Sequence, residues 1–149
     1  MTSYIAAELR RFVQSRANCL CEYCLIAEVV TYLGCQVDHI ISEKHGGLTE
    51  AVNLSFACTC CNRAKGADIG SISQVDREFT RFFNPRHDHW ADHFSLCGTA
   101  IESNTLIVEV TASILEFNAP ERLAERDELA SSRRYPPKAS LKLLLRSLK

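Results

Sequence analysis

An α+β fold is predicted for this 149-residue chain, on three observations. Two Cys-x2-Cys pairs, Cys21/Cys24 and Cys58/Cys61, stand 33 residues apart. Between them, short β-type runs alternate with loops rich in glycine and polar residues. Outside them, apolar residues recur at helical spacing near both ends. Hydrophobic residues make up 46% and charged residues 23%, a balance that suits one globular core. The formal net charge of −1 gives no bulk pull toward nucleic acid, so any such contact has to come from a local patch.

No apolar run approaches the roughly 20 residues that span a bilayer. The start, MTSYIAAELRRF, lacks a basic stretch followed by an apolar one. A cytoplasmic setting is therefore expected, with the eight cysteines serving as thiols and metal ligands and not as a disulfide framework.

Residues 2–15 read as a helix that Thr2 or Ser3 caps, with Ile5, Leu9, Phe12 and Val13 on one face. Arg10, Arg11 and Arg16 decorate its other side and its end. Val29 to Leu33 is a β-branched run, Gln36 to Ile41 a strand, and His45 to Gly47 a turn-rich loop. Leu54 to Ala57 is a second strand, and Cys58 to Gly66 a turn entering a short helix that Gly66 ends. Farther on, Leu106 to Val110 is β-rich, and Asn118 caps a helix with Pro120 in its first turn, running to about Leu129. Pro136-Pro137 breaks the chain before a short amphipathic helix. These readings divide the chain into residues 1–75, an extension over 76–132, and a tail over 133–149 with six basic and no acidic residues.

Each Cys-x2-Cys pair forms a knuckle that points two thiolates at one tetrahedral zinc, and two knuckles complete a closed structural site. Cys19 and Cys60 compete for register, but the spacing favours Cys21, Cys24, Cys58 and Cys61. Cys35 and Cys97 read as small core residues. His87, His89 and His93 are read as packing residues, not as a second metal site. Trp90 is expected to anchor the core.

The zinc frame brackets VDHIISEKHGG, where Asp38 and His39 stand side by side in a strand. A plain buried strand has no use for two adjacent ionisable groups. Metal-assisted hydrolysis does, since it needs an activated water and a cation at the reacting centre. His39, with an ordinary pKa near 6.5, suits a general base. Asp38 and the carbonyl of Asn62 offer hard oxygens to Mg²⁺ or Mn²⁺. Because neighbours on a strand point to opposite faces, these roles call for a bulge or bend near Asp38.

CEYC, VDHI, HGG, NL and ACTCCNRAKG together, over about Arg16 to Gly66, resemble the zinc-bearing form of the HNH endonucleases, the ββα-metal or His-Me finger nucleases. The resemblance implies a ββα-metal core, a structural zinc, and a DNA endonuclease with His39 as base and Asp38 and Asn62 on a catalytic ion. It also implies that Asn53 holds the loop over the strand carrying His39. Where relatives commonly have proline shortly after the Asp38-His39-Ile40 triplet, the chain has Ser42-Glu43-Lys44, which sets a carboxylate beside the expected phosphate. Arg63 and Lys65 on the short helix, with Arg16 and His45, are the expected DNA contacts. Arg81 and Arg86 would extend that track. Two competing readings are a zinc-stabilised nucleic-acid-binding module without activity and an interaction protein using the zinc fold as scaffold.

Overall fold

The computed structural model describes residues 3–145. Thr2, as a helix cap, and Arg146 and Lys149, as tail cations, lie outside the described residues.

The first helix, α1 (Ala7–Arg16), begins later than expected, with Ala6 at its N-cap and no side-chain cap bond. Its apolar face is narrower too. Ile5 and Val13 are buried, whereas Phe12 stays 52% exposed, its ring covered by the Arg16 guanidinium 5.2 Å from the centroid. Strands β1 (Cys35–His39) and β2 (Leu54–Cys58) form an antiparallel ladder that pairs Asp38 with Ser55 and His39 with Leu54. Helix α2 (Thr59–Lys65) follows β2 directly, and the Cys58 side chain caps it by accepting from the Cys61 amide. The β1–β2–α2 unit is thus the expected strand, strand and helix. Ile5, Val13 and Ala17 pack on Leu54 and Phe56, closing a small core between α1 and the ladder.

The larger core has a different composition. It joins Cys21, Cys24, Cys58 and Cys61 with Phe83, Trp90, Phe94, Phe117 and Tyr135, so the second half of the chain packs around the cysteines. Two further hairpins, β3 (Gly70–Ile72) with β4 (Phe79–Arg81), and β5 (Phe94–Cys97) with β6 (Ala100–Ser103), flank it. The short helix α3 (Trp90–His93) sets Trp90 fully inside, where its indole N–H donates to the Tyr23 carbonyl at 2.8 Å. Phe94 stacks obliquely with Trp90 and Phe117 at 5.0 and 5.6 Å between centroids.

Two β-rich runs depart from expectation. Leu106 to Val110 lies in helix α4 (Leu106–Ile114), with Val108, Val110 and Thr111 buried. Packing against β3, β4 and β6 overrides the modest helix preference of Val and Ile. Val29 to Leu33 forms only a single 3-10 turn and a loop, with Val29 and Tyr32 at least 90% exposed. A strand needs a partner ladder, and β1 pairs only with β2. Helix α5 (Pro120–Ser131) forms as expected but starts from Ala119. The Asn118 side chain instead bonds both the amide and the carbonyl of Ile101. The described part of the tail includes α6 (Leu141–Leu144), whose Leu143 and Leu144 pack on the larger core. Among the described residues, no helix is long and apolar enough to cross a membrane.

Candidate active site and zinc centre

Cys21, Cys24, Cys58 and Cys61 are all buried, with their sulfurs within 4.8 Å of one another, and they are the one such metal-ligand group among the described residues. A zinc–sulfur bond of about 2.3 Å makes the edge of a tetrahedral site about 3.8 Å. Cys24 Sγ lies 3.7 Å from Cys58 Sγ. Each knuckle donates an amide to its own first sulfur, Cys24 to Cys21 at 3.5 Å and Cys61 to Cys58 at 3.4 Å. Hydrogen bonds from Cys21, Cys58 and Cys61 hold the Cys24 thiol well below its usual range. Cys58 is pushed up, first by its bonding with Cys21 and Cys24, and Cys61 is pushed up first by burial. Sulfurs so crowded carry their charges together only around a cation. The donor set fits zinc, and the register is settled by position, with Cys19 and Cys60 both exposed. All eight cysteines are free thiols. Cys97 is exposed and so is not the core residue expected, whereas Cys35 is half-buried and packs against both cores; both sit at ladder ends.

Around β1 the side chains sort by face. Gln36 and Asp38, two residues apart, both reach α2. Gln36 Oε1 accepts from Asn62 Nδ2, and Asp38 Oδ2 accepts from Lys65 Nζ at 3.1 Å. Asn62 and Lys65 thus both lie against the face of β1 that carries Gln36 and Asp38. His39, on the last residue of β1, is 3% exposed. Its Nε2 meets Thr49 Oγ1 at 2.9 Å, and Glu43 Oε1 stands 3.7 Å away. The ladder runs in unbroken register through Asp38 and His39, so the expected bulge is not there. The end of the strand makes the bend instead. Asp38 and His39 border one cleft of about 270 Å³, shared with Ser42, Glu43, Lys44, Gly66 and Ala67.

The loop over this cleft is held by Asn53. Its Oδ1 accepts from the Ile41 amide, and its Nδ2 donates to the carbonyls of Ile41 and Leu48, each at 2.9 Å. Gly47 makes that closure possible, since a Cβ there would stand 1.7 Å from the Ile41 oxygen. Gly46 takes φ +85°, a left-handed conformation that glycine adopts without strain. The Ser42 hydroxyl ties the start of the loop to the Ala67 carbonyl at 3.0 Å.

Four expected DNA contacts fall elsewhere. Lys65 is 2% exposed, and its ammonium is committed to Asp38 and, at 2.8 Å, to the His39 carbonyl. Arg16 donates to the carbonyls of Ala51 and Leu54 at 2.8 and 2.7 Å, so it braces the segment before β2. Arg86 is paired with Glu22, and Arg81 holds Asp88 through both guanidinium nitrogens. These cations are spent internally because each lies beside a carboxylate or an orphan carbonyl that burial would otherwise strand. Arg63 and His45 are exposed. Glu43, expected beside the phosphate, stands 3.7 Å from His39 Nε2, whereas Thr49 and Gln36 were not among the expected site residues. Only Gln36 had a signal, its two-residue spacing from Asp38.

The fold and site define an α+β protein with a buried four-cysteine cluster, its donor set fitting zinc, that brackets an Asp-His strand end. The family model that matches is HNH endonuclease, over residues 21–68, from the first knuckle to just past α2. Comparisons with curated proteins and with solved structures give no match.

Proposed function

We propose that this protein is a metal-dependent DNA endonuclease that hydrolyses phosphodiester bonds with His39 as general base. The observation that carries the reading is the shared cleft of Asp38 and His39, with Asn53 pinning the loop above it.

His39 Nε2 is occupied by Thr49, which leaves Nδ1 to take the proton from the attacking water. Asp38 and Asn62 would hold Mg²⁺ or Mn²⁺, with water and phosphate completing the shell. When bound, that ion supplies Lewis-acid stabilisation of the phosphate and of the leaving oxygen. Lys65 orients the Asp38 carboxylate and, through the His39 carbonyl, the end of the strand. Exposed Arg63 and His45 contact backbone phosphates, positioning DNA without reading its bases. Cys21, Cys24, Cys58 and Cys61 would hold a structural zinc that ties the Cys21–Cys24 turn to the junction of β2 and α2. The setting proposed is the cytoplasm.

The test is nicking of supercoiled plasmid with and without Mg²⁺ or Mn²⁺. Binding that weakens steeply with salt, without cleavage under any metal, would favour the inactive zinc-stabilised binding module instead.

A further inference from the structure

Arg122, on α5, has no place in the cleft and is 7% exposed. Its Nη2 stands 3.1 Å from Cys61 Sγ and 3.9 Å from Cys58 Sγ. Its Nη1 donates to the Leu115 carbonyl at 2.6 Å, and its plane lies over the Phe117 ring, 5.8 Å from the centroid. A buried guanidinium is costly unless it meets negative charge. Here the negative charge is the sulfur cluster. Four thiolates around one divalent cation leave surplus negative charge, and the knuckle amides offset it only through partial dipoles.

The geometry points to Arg122 as an outer partner of the metal centre: it donates to the zinc thiolates, offsets their surplus charge and draws electron density from sulfur. Its carrier, α5, lies outside the matched segment of residues 21–68. The C-terminal half therefore completes the metal centre as well as packing around it. This inference rests on the four-cysteine site and not on the nuclease reading, and none of its measurements uses cleavage.

Arg122→Met is compared with the parent in three measurements. Zinc affinity, by competition with a chromophoric chelator, is expected to fall 10- to 100-fold, as for loss of a hydrogen-bonding partner of metal ligands. With Co²⁺ in the site, the sulfur-to-cobalt charge-transfer band is expected to move to longer wavelength, because the sulfurs become more electron-rich. Iodoacetamide is expected to alkylate the metal-bound thiolates faster. The band separates a direct bond to sulfur from simple loosening of the fold, so an unmoved band, with affinity within twofold of the parent, overturns the proposal. If Arg122→Met does not fold with zinc in excess, the decision moves to the unsubstituted protein loaded with ¹¹³Cd. A through-bond correlation from ¹¹³Cd to the Arg122 Nη–H, beside those to the Cys24 and Cys61 amides, supports the assignment. Its absence while those amide correlations are present overturns it.

Discussion

Asp38 and His39 are neighbours in the chain with opposite surroundings: one faces Lys65 and the Asn62 helix, the other Thr49 and the loop. Strand alternation produces that split, and the end of β1 then lets both side chains border one cleft. The loop that closes the cleft depends on Gly47 more than on Gly46. A methyl at Gly47 meets the Ile41 carbonyl at 1.7 Å, so the loop has to shift as a whole. A methyl at Gly46 meets nothing within 4 Å and costs only the left-handed backbone, about 1–2 kcal/mol. Gly47→Ala is therefore expected to lower the melting temperature more than Gly46→Ala and to remove cleavage. Equal melting temperatures for the two variants would show that the loop adapts freely. At this scale the catalytic candidates were legible because their chemistry is unusual in a strand. Lys65 was misread because nothing in ACTCCNRAKG tells an inward lysine from a solvated one.

The knuckles, β1, β2 and α2 were legible as elements because the paired cysteines, alternating apolar residues and Gly66 agree on the same boundaries. Helix α4 was not, since its Val- and Ile-rich sequence suits a strand and only three neighbouring hairpin strands make it a helix. Arg122 was invisible for another reason: it stands 61 residues from Cys61 and belongs to no motif. The four cysteines stand inside the larger core, where an unpaired set of sulfurs would disturb all that packs on them, so Cys24→Ser is expected to abolish zinc retention and cooperative unfolding together. Retention of a sharp unfolding transition without zinc would contradict this. Asp88 organises the segment between β4 and α3. Burial would raise its pKa, but the Arg81 guanidinium and the Asn84 amide hold the carboxyl below its ordinary value. A depressed carboxyl stabilises above its unfolded pKa and loses that contribution as pH falls through the folded one. Acid titration of stability below about pH 4 should thus be flatter in Asp88→Asn than in the parent. Superimposable curves would remove Asp88 from the account.

Across the whole molecule, a net charge of −1 and the internal use of Arg16, Lys65, Arg81 and Arg86 leave few cations for DNA near the cleft. Affinity is then expected to be modest, and each remaining contact should be visible on its own. Arg63→Ala should flatten the plot of log affinity against log salt by about 1 while cleavage at saturating DNA stays unchanged. An unaltered slope would mean that Arg63 is merely solvated. The basic tail is a weaker candidate for such contacts than its composition suggested, because Leu143 and Leu144 tie it to the core that surrounds the cysteines. The knuckles and the C-terminal helices thus pack in one core around the cysteines, and the Asp38–His39 cleft is the proposed chemical end. The most direct test of that chemical end is single-turnover nicking of supercoiled DNA by the parent and by His39→Ala, each zinc-loaded, with and without Mg²⁺. The account expects His39→Ala to keep its zinc and its fold, and to lose cleavage by roughly a hundredfold or more. The parent should stop when Mg²⁺ is withheld and resume when it is restored. Parent-rate nicking by His39→Ala would contradict the assignment of the base, and with it the enzyme.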